Sequence, residues 1–469
     1  MLSFVQNFFA PKCNPIGVDF GSDCLRLAQV HHSTAGGEGS GEFKLIAAAS
    51  EDVPSHVRHD PGARLNFFIE TIKELLAAGK FRGRQCVLGL PAASMFIQHL
   101  RMPKLDGEAM KKALPWELRG KLPIDPSHAQ LRHVIAGDVY EGQESKSEVI
   151  VIAAAKEMVN SYLSAAAKAK LDVVGMNVEP RAIVDCFSQL YRRKTDEGVI
   201  NCYVDIGCVS TRAVVARGNE IFFARTIPVG GDHFSRATAN ALKIKLDEAK
   251  LLRVRLAALQ LAASPMDDPR RQAAAEAPPA TAINEASVEN SFALLPAGIM
   301  KDRRHDLVVA AATREAATAA ASVPTADALP PGVDPAQAKQ AKLVEQACKD
   351  SLNRLVEELE LCRRYYETTF PDKPVQRLIF IGGEARQKAL CQHIARAMGL
   401  AAQVGDPMVR FKRDANADDL ADGLDRKQQH PAWSVALGLS MGSGAATGDL
   451  ASDSSDGNIS AAAVAASNK

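Results

Sequence analysis

The sequence predicts an α/β protein built from two related halves, and two observations carry that prediction. The first is a repeated turn. Residues 204–215 read as a buried apolar strand ending in Asp205 and Ile206, a tight turn on Gly207, and a β-branched strand running back. The same pattern stands at 18–28, where Gly21 follows Asp19 by two residues and Arg26 follows Gly21 by five, as Arg212 follows Gly207. A unit that recurs in one chain argues for two halves facing each other. The second observation is that each hairpin is continued by a third strand and then by helix and strand again. Two facing Asp-x-Gly hairpins suit a nucleoside triphosphate, with turn amides on its phosphates and the two Asp carboxylates holding Mg²⁺, often through water.

In chain order, strands are expected over 16–20, 25–31 and 43–49. A helix follows over 64–78, where Leu65, Phe68, Ile69, Ile72, Leu75 and Leu76 keep helical spacing, and then a strand over 86–90 stopped by Pro91. Three strands, a helix and a strand is the order of a ribonuclease H-like half. From residue 93 the pattern changes to strand 95–102, helix 107–121, strand 149–154 and helix 157–169, read as a small inserted α/β subdomain. Pro115 is expected to bend or shorten its helix. The chain returns at 173–178, and Pro180 suits the first turn of a helix over 181–191.

The second half runs from its hairpin to a strand over 220–227, a loop holding Gly230 and Gly231, and helices over 233–242 and 246–256. Residues 262–341, rich in Ala, Pro, Asp, Ser and Thr, are expected to form a loop or largely disordered insert. Helical periodicity resumes over 352–366, followed by strand 375–381, helix 385–398 and a short helix over 433–441. The tail past Gly442 is expected to be mobile. The expected divisions are 1–92 (first lobe), 93–172 (inserted subdomain), 173–198 (return to the first lobe), 199–261 and 342–442 (second lobe), 262–341 (insert) and 443–469 (tail).

Composition narrows the function classes. Of 469 residues, 46% are hydrophobic and 24% charged, as in a soluble globular protein. A net charge of +1 gives no electrostatic reason to expect nucleic acid as a partner. Nine cysteines are scattered without a CxxC pair, which argues against a disulfide or zinc framework and fits a reducing cytoplasm. No apolar run reaches the roughly 18–20 residues of a membrane span. The apolar opening residues lack a basic n-region and stop at Pro11-Lys12, so a leader to the first strand is expected, not a secretory signal.

These segments together resemble the actin-like ATPase superfamily. Residues 16–27 are similar to its first phosphate motif, 203–215 to its second and 378–385 to its adenosine motif, with 179–183 and 434–439 as connecting segments. Within it the chain most resembles the PilM family of type IV pilus assembly proteins, relatives of the division protein FtsA. Three features carry this: the insert between Pro91 and Asn177, with Trp116-Glu117 to Pro123 inside it; the segment 246–253; and the long helix 352–366 followed by Gly382-Gly383. The likeness covers about residues 14–260 and 342–441. Lys250 stands where the family usually has an acidic residue, and Arg253 where it has Lys, while Glu248 is retained. The implied fold is actin-like, two ribonuclease H-like lobes with an FtsA/PilM-type inserted subdomain.

The candidate residues carry two readings each. Asp19 and Asp205 either face Mg²⁺ or close turns. Gly21 and Gly207, with Gly382 and Gly383 of the adenosine motif, allow close approach of backbone to ATP, or simply permit tight turns. Ser22 and Thr211 either add hydroxyls to the phosphates or belong to the turns. Gly230 and Gly231 resemble the superfamily's phosphate-contacting loop, and a plain loop is the alternative. Glu179 either positions water or the metal, as the tentative catalytic residue, or is an exposed cap before Pro180. By resemblance Glu248 and Arg253 join the ATP-binding set.

The resemblance further implies an ATP–Mg²⁺ cofactor acting as a conformational ligand, with at most slow hydrolysis. It implies work on the cytoplasmic face of the inner membrane, bound there through the short N-terminal peptide of a PilN-like protein. Pilus motor ATPases and a second copy of the chain are further implied partners; nucleic acid and a direct membrane span are not. The alternatives are a nucleotide-free scaffold of a type II secretion platform, an FtsA-like polymerising protein, and a small-molecule kinase of the same superfamily.

Overall fold

The computed structural model describes residues 13–33, 42–188, 198–263, 335–409, 411, 424 and 428–442. The apolar opening decapeptide, residues 189–191 of the expected connecting helix, residues 264–334 and the tail past Gly442 lie outside the described residues. The chain divides into two compact units, Met1–Val254 with Val344–Lys469, and Arg255–Leu343. In the second unit the described residues are helical ends alone.

The first unit holds the two related halves, and their sheets have one plan. In the first half β1 (Ile16–Phe20), buried along its whole length, pairs antiparallel with β2 (Cys24–Ser33) and parallel with β4 (Gln85–Leu90). Beyond them lie β3 (Glu42–Asp52) and β8 (Asp172–Val178), giving the order β3-β2-β1-β4-β8. In the second half β9 (Asn201–Ile206) takes the place of β1. It pairs antiparallel with β10 (Thr211–Arg217) and parallel with β12 (Arg377–Ile381). With β11 (Glu220–Ile227) and β13 (Ala401–Val404) the order is β11-β10-β9-β12-β13. A strand buried on both faces needs a continuous apolar run, which is why both central strands announce themselves in the sequence. Strand β13, four mostly exposed residues at the sheet edge, has no such run and no counterpart among the expected strands.

Helix α1 (Pro61–Ala78) begins earlier than its apolar stripe. Asp60 caps it by accepting from the amides of Gly62 and Ala63, and Pro61 fits the first turn, where its missing N–H costs nothing. Between the halves of the first sheet's sequence comes the inserted region: β5 (Met95–Pro103), α2 (Gly107–Glu117), β6 (Ala129–Glu141), β7 (Glu144–Ala155) and α3 (Lys156–Lys168). Helix α2 is short and ends two residues past Pro115, which has no N–H to give to the carbonyl four residues before it. The three strands form an antiparallel sheet in the order β5-β7-β6, and α2 buries Met110 and Leu114 against it.

Strand β6 occupies a stretch with no strand expected. Its alternation is diluted by Arg132 and His133 and broken by a bulge between Ile135 and Gly137. Helix α3 packs into the core of the first lobe, where the Phe20 ring meets Phe68 of α1 at 5.1 Å and Tyr162 of α3 at 4.9 Å.

The β5-β7-β6 sheet is tied to the second lobe by polar contacts. Glu148 of β7, fully buried, accepts from the Tyr365 hydroxyl (2.7 Å) on α7 (Pro335–Thr369, numbered after α4–α6 below). Glu148 also lies 3.1 Å from His99 Nδ1, and His99 Nε2 faces the Ala224 carbonyl of β11 at 3.1 Å.

Helix α4 (Glu179–Ser188) connects the halves and is buried over most of its length. Helix α5 (Gly231–Leu242) and α6 (Leu246–Ala263) follow β11, and α8 (Lys388–Met398) follows β12 after a 3-10 turn over Gly383–Arg386. The last helix, α9 (Ser434–Gly442), returns to the first half. It lies against α4, β1, β2 and β4. The approach is backbone to backbone: a Cβ on Gly17 would lie 2.0 Å from the Ala436 carbonyl oxygen, and one on Gly438 would lie 1.9 Å from that of Ala182. Neither oxygen can swing away, because each belongs to a helix. A Gly438→Ala change is therefore expected to destabilise the fold by roughly 3 kcal/mol, the upper end for overpacking. Chemical denaturation checks this; a loss under about 0.5 kcal/mol would contradict the close approach.

Candidate functional site

The two hairpins set the site because register places each aspartate opposite its arginine. Asp19 pairs with Arg26 across β1 and β2, and Asp205 with Arg212 across β9 and β10, so aspartate and arginine share one face. In the second hairpin Arg212 Nε donates to Asp205 Oδ2 at 2.9 Å, and its Nη2 lies 2.7 Å from the same oxygen. In the first the contact is looser, with 3.9 Å from Arg26 Nη1 to Asp19 Oδ2.

Glu179, the first residue of α4, joins them. It is buried, not the exposed cap that its place before Pro180 also allowed. Its Oε2 lies 3.1 Å from Arg212 Nε but makes no hydrogen bond, leaving a buried carboxylate oxygen with an open lone pair. Asp19, Glu179 and Asp205 feel one another's charge around Arg212. Three residues spread over nearly two hundred positions thus meet in one corner.

Burial sets the proton chemistry of that corner. It pushes Asp19 from an ordinary 3.8 up to about 6, against the pull of Arg26 and Arg212. It pushes Glu179 from 4.5 up to about 7, against the pull of Arg212 and a backbone N–H from Ala92. In both, loss of hydration outweighs the ion pair.

The turns are built for close approach. A Cβ at Gly21 would meet the Cys24 carbonyl at 2.5 Å. Gly207 donates to Ser210 O (3.0 Å), and the amides of Gly231 and Asp232 at the start of α5 donate back to Gly207 O and Cys208 O. Gly230 brings α5 against this turn, since a Cβ there would lie 2.7 Å from the Gly207 and Cys208 oxygens. Thr211, fully buried, donates its hydroxyl to Val229 O at 2.7 Å, while Ser22 stays partly exposed at the first turn.

The strand β12 ends at Gly382, whose φ of +88° suits glycine and whose Cβ would lie 2.4 Å from Asp205 Oδ1. Gly383 differs: a Cβ there meets nothing within 4 Å. Arg253 of α6 is buried and donates to Gly231 O (3.0 Å), Ser235 Oγ (2.9 Å) and Glu384 Oε2 (2.5 Å). It clamps α6, α5 and the Gly382–Glu384 turn together. Glu248, by contrast, is exposed in the first turn of α6 and accepts from the Lys245 amide at 3.4 Å.

Sequence reasoning singled out both aspartates but gave no role to Arg26, Arg212 or Glu384. The arginines carried a signal, their equal spacing after Gly21 and Gly207; Glu384 carried none beyond its place in the adenosine-like stretch. Among the described residues, no three His, Cys, Asp or Glu side chains converge closely enough to hold a metal ion directly. The open oxygen of Glu179 and the flanking aspartates fit a hydrated cation.

The model of the type IV pilus assembly protein PilM matches residues 17–256, just over half of the chain. The chain belongs to the PilM family. The model of the cell division protein FtsA matches residues 202–438. Among solved structures, a PilM–PilN type IV pilus biogenesis complex is 19% identical with a TM-score of 0.60, covering 92% of this chain and 99% of that one, which shows the actin-like fold. The ethanolamine utilization protein EutJ from Carboxydothermus hydrogenoformans is 14% identical (TM-score 0.43, 92% and 90% covered). MreB5 of Spiroplasma citri bound to ADP is 9% identical (TM-score 0.41, 92% and 95% covered). A search of curated protein sequences gave no match. Among the described residues of this PilM-family chain, no helix is long and apolar enough to cross a membrane.

Two outcomes are expected. Because Glu179 is raised by folding, its contribution to stability is present at low pH and lost as pH rises from about 4.5 through about 7. Glu179→Gln should therefore melt with the wild type near pH 5 and above it at pH 8, in thermal scans at both values. Arg253→Ala leaves Glu384 without its guanidinium partner and should cost about 3 kcal/mol or more in chemical denaturation, as loss of one partner of a buried pair does.

Proposed function

We propose that this chain is an ATP-binding, actin-like assembly protein of a type IV pilus inner-membrane platform. The observation that supports this most is the meeting of Asp19, Glu179 and Asp205 around Arg212, with one Asp-x-Gly turn from each half beside them. In this reading turn amides following Gly21 and Gly207 hold phosphate oxygens, with Ser22, Thr211, Gly230 and Gly231 shaping those turns. Gly382 and Gly383 let the nucleoside approach β12, and Glu248 and Arg253 border it from α6.

Asp19 and Asp205 would hold Mg²⁺ through water, and the ion would supply neutralisation of phosphate charge. Glu179 would orient a hydrating water. With its carboxyl raised to about 7 its ionised form would be a competent base near neutral pH, and hydrolysis, if it occurs, would be slow. Nucleotide then acts by stabilising one arrangement of the lobes over another. The partner would be the short cytoplasmic N-terminal peptide of a PilN-like membrane protein, which keeps this protein at the inner membrane; the PilM–PilN complex among the similar structures supports that choice.

One observation favours a second reading, a nucleotide-free scaffold. Asp205 is already held by Arg212, Thr211 by the Val229 carbonyl, and Arg253 and Glu384 by each other.

Calorimetric titration with ATP and Mg²⁺ separates the two. The wild type should bind, and Gly383→Val should weaken binding at least tenfold with an unchanged melting temperature, because the added side chain meets open space in the protein. Absence of binding in the wild type selects the scaffold. For the partner, deleting residues 93–171 would strip α3 from the first-lobe core, so a photo-crosslinking PilN-like peptide is the better probe. Crosslinks should fall on residues 95–155; labelling confined to α8 and β13 would contradict this assignment.

A further inference from the structure

Among the described residues, Arg26, Arg212, Arg253 and Lys250 stand at the paired hairpins, and the three arginines are already committed. Arg26 and Arg212, with side chains 16% and 13% exposed, lie against the aspartates of their own hairpins. Arg253, 4% exposed, has three acceptors. Lys250 differs in both respects. It sits on α6 one turn before Arg253, its side chain is 35% exposed, and its Nζ reaches Asp23 Oδ2 at 3.3 Å.

That contact joins the lobes. Asp23 is in the β1–β2 turn of the first, two residues past Gly21, and its carbonyl is fixed by the Val53 amide at 2.9 Å. Lys250 belongs to the second. Cys208, in the β9–β10 turn, lies close enough to feel the charges of both Asp23 and Lys250. The ammonium therefore touches the β1–β2 turn and stands within electrostatic range of the β9–β10 turn. A partly exposed Lys–Asp pair is weak and easily exchanged, and a phosphate dianion is a stronger partner for an ammonium than a single carboxylate.

We propose that Lys250 is a phosphate-contacting residue of the nucleotide site, which gives up Asp23 for a phosphate oxygen when a nucleoside triphosphate enters. The proposal rests on the nucleotide reading of the site given above. Lys250 supplies, from a flexible four-carbon stem, the one cationic group of the four that can follow a ligand without uncovering a buried carboxylate. Asp23 is then a competitor for that ammonium. The Lys250–Asp23 contact also resists separation of the lobes until ligand replaces it.

The test compares ATP with adenosine in calorimetric titrations of the full chain, using Lys250→Met, which keeps the apolar stem, and Asp23→Asn. Lys250→Met should weaken ATP about tenfold or more and leave adenosine within twofold. Asp23→Asn should strengthen ATP severalfold, and that gain should vanish in the double variant, because it acts through the released ammonium. Melting temperatures of all three should stay near the wild type, since the pair is partly exposed.

Equal ATP affinity in wild type and Lys250→Met overturns the proposal while leaving the nucleotide site standing. So does an Asp23→Asn gain that persists in the double variant. ATP binding absent from the wild type and from Asp23→Asn alike removes the nucleotide reading itself, and this proposal with it.

Discussion

The structure depends on burying three carboxylates beside two arginines in one corner. Asp19, Glu179 and Asp205 arrive from β1, α4 and β9, and none could enter alone, because an isolated buried charge is driven to neutralise. Arg212 makes the arrangement tenable by binding Asp205 through two nitrogens while lying against Glu179. Its position follows from register: a one-residue slip between β9 and β10 would turn the guanidinium to the opposite face of the sheet. Burial first, and the neighbouring carboxylates second, make Asp19 and Glu179 hold their protons more tightly than free carboxylates do, against the pull of the arginines. A site in that condition favours an incoming cation, hydrated or delivered with a ligand.

Around this corner the glycines divide by purpose. Gly382 and Gly231 remove side chains that would strike Asp205 and Glu384, so they serve the protein's own packing. Gly383 faces open space and is dispensable to the fold. A row of glycines in the sequence gives no means of telling these apart. The distinction comes from what each missing Cβ would touch.

Much of the plan was legible in the residues. The two central strands are continuous apolar runs, and the duplicated Asp-x-Gly turns gave the pseudo-symmetry that the matching sheet orders display. What stayed hidden has physical reasons. Strand β6 is half-exposed and bulged, so its alternation is weak, and β13 is four edge residues. The three acceptors of Arg253 stayed hidden because a sequence shows a charge and not its partners. Lys250 looked like a mere departure from a family pattern until α6 was placed beside the β1–β2 turn.

The return of α9 to the first lobe has a consequence for how the chain is made. Asn14 Nδ2 donates to the Ser440 carbonyl across 426 positions, the Ser440 hydroxyl donates to Pro15 O, and Gly17 meets the backbone at Ala436. On a ribosome, β1 emerges long before its covering helix, whose Ser440 lies 426 positions after Asn14. Through that interval the part of the first sheet that α9 covers lacks its mate, and docking of α9 completes the face. Such distant contacts slow folding and leave apolar strand surface open to chaperones while the chain is being extended.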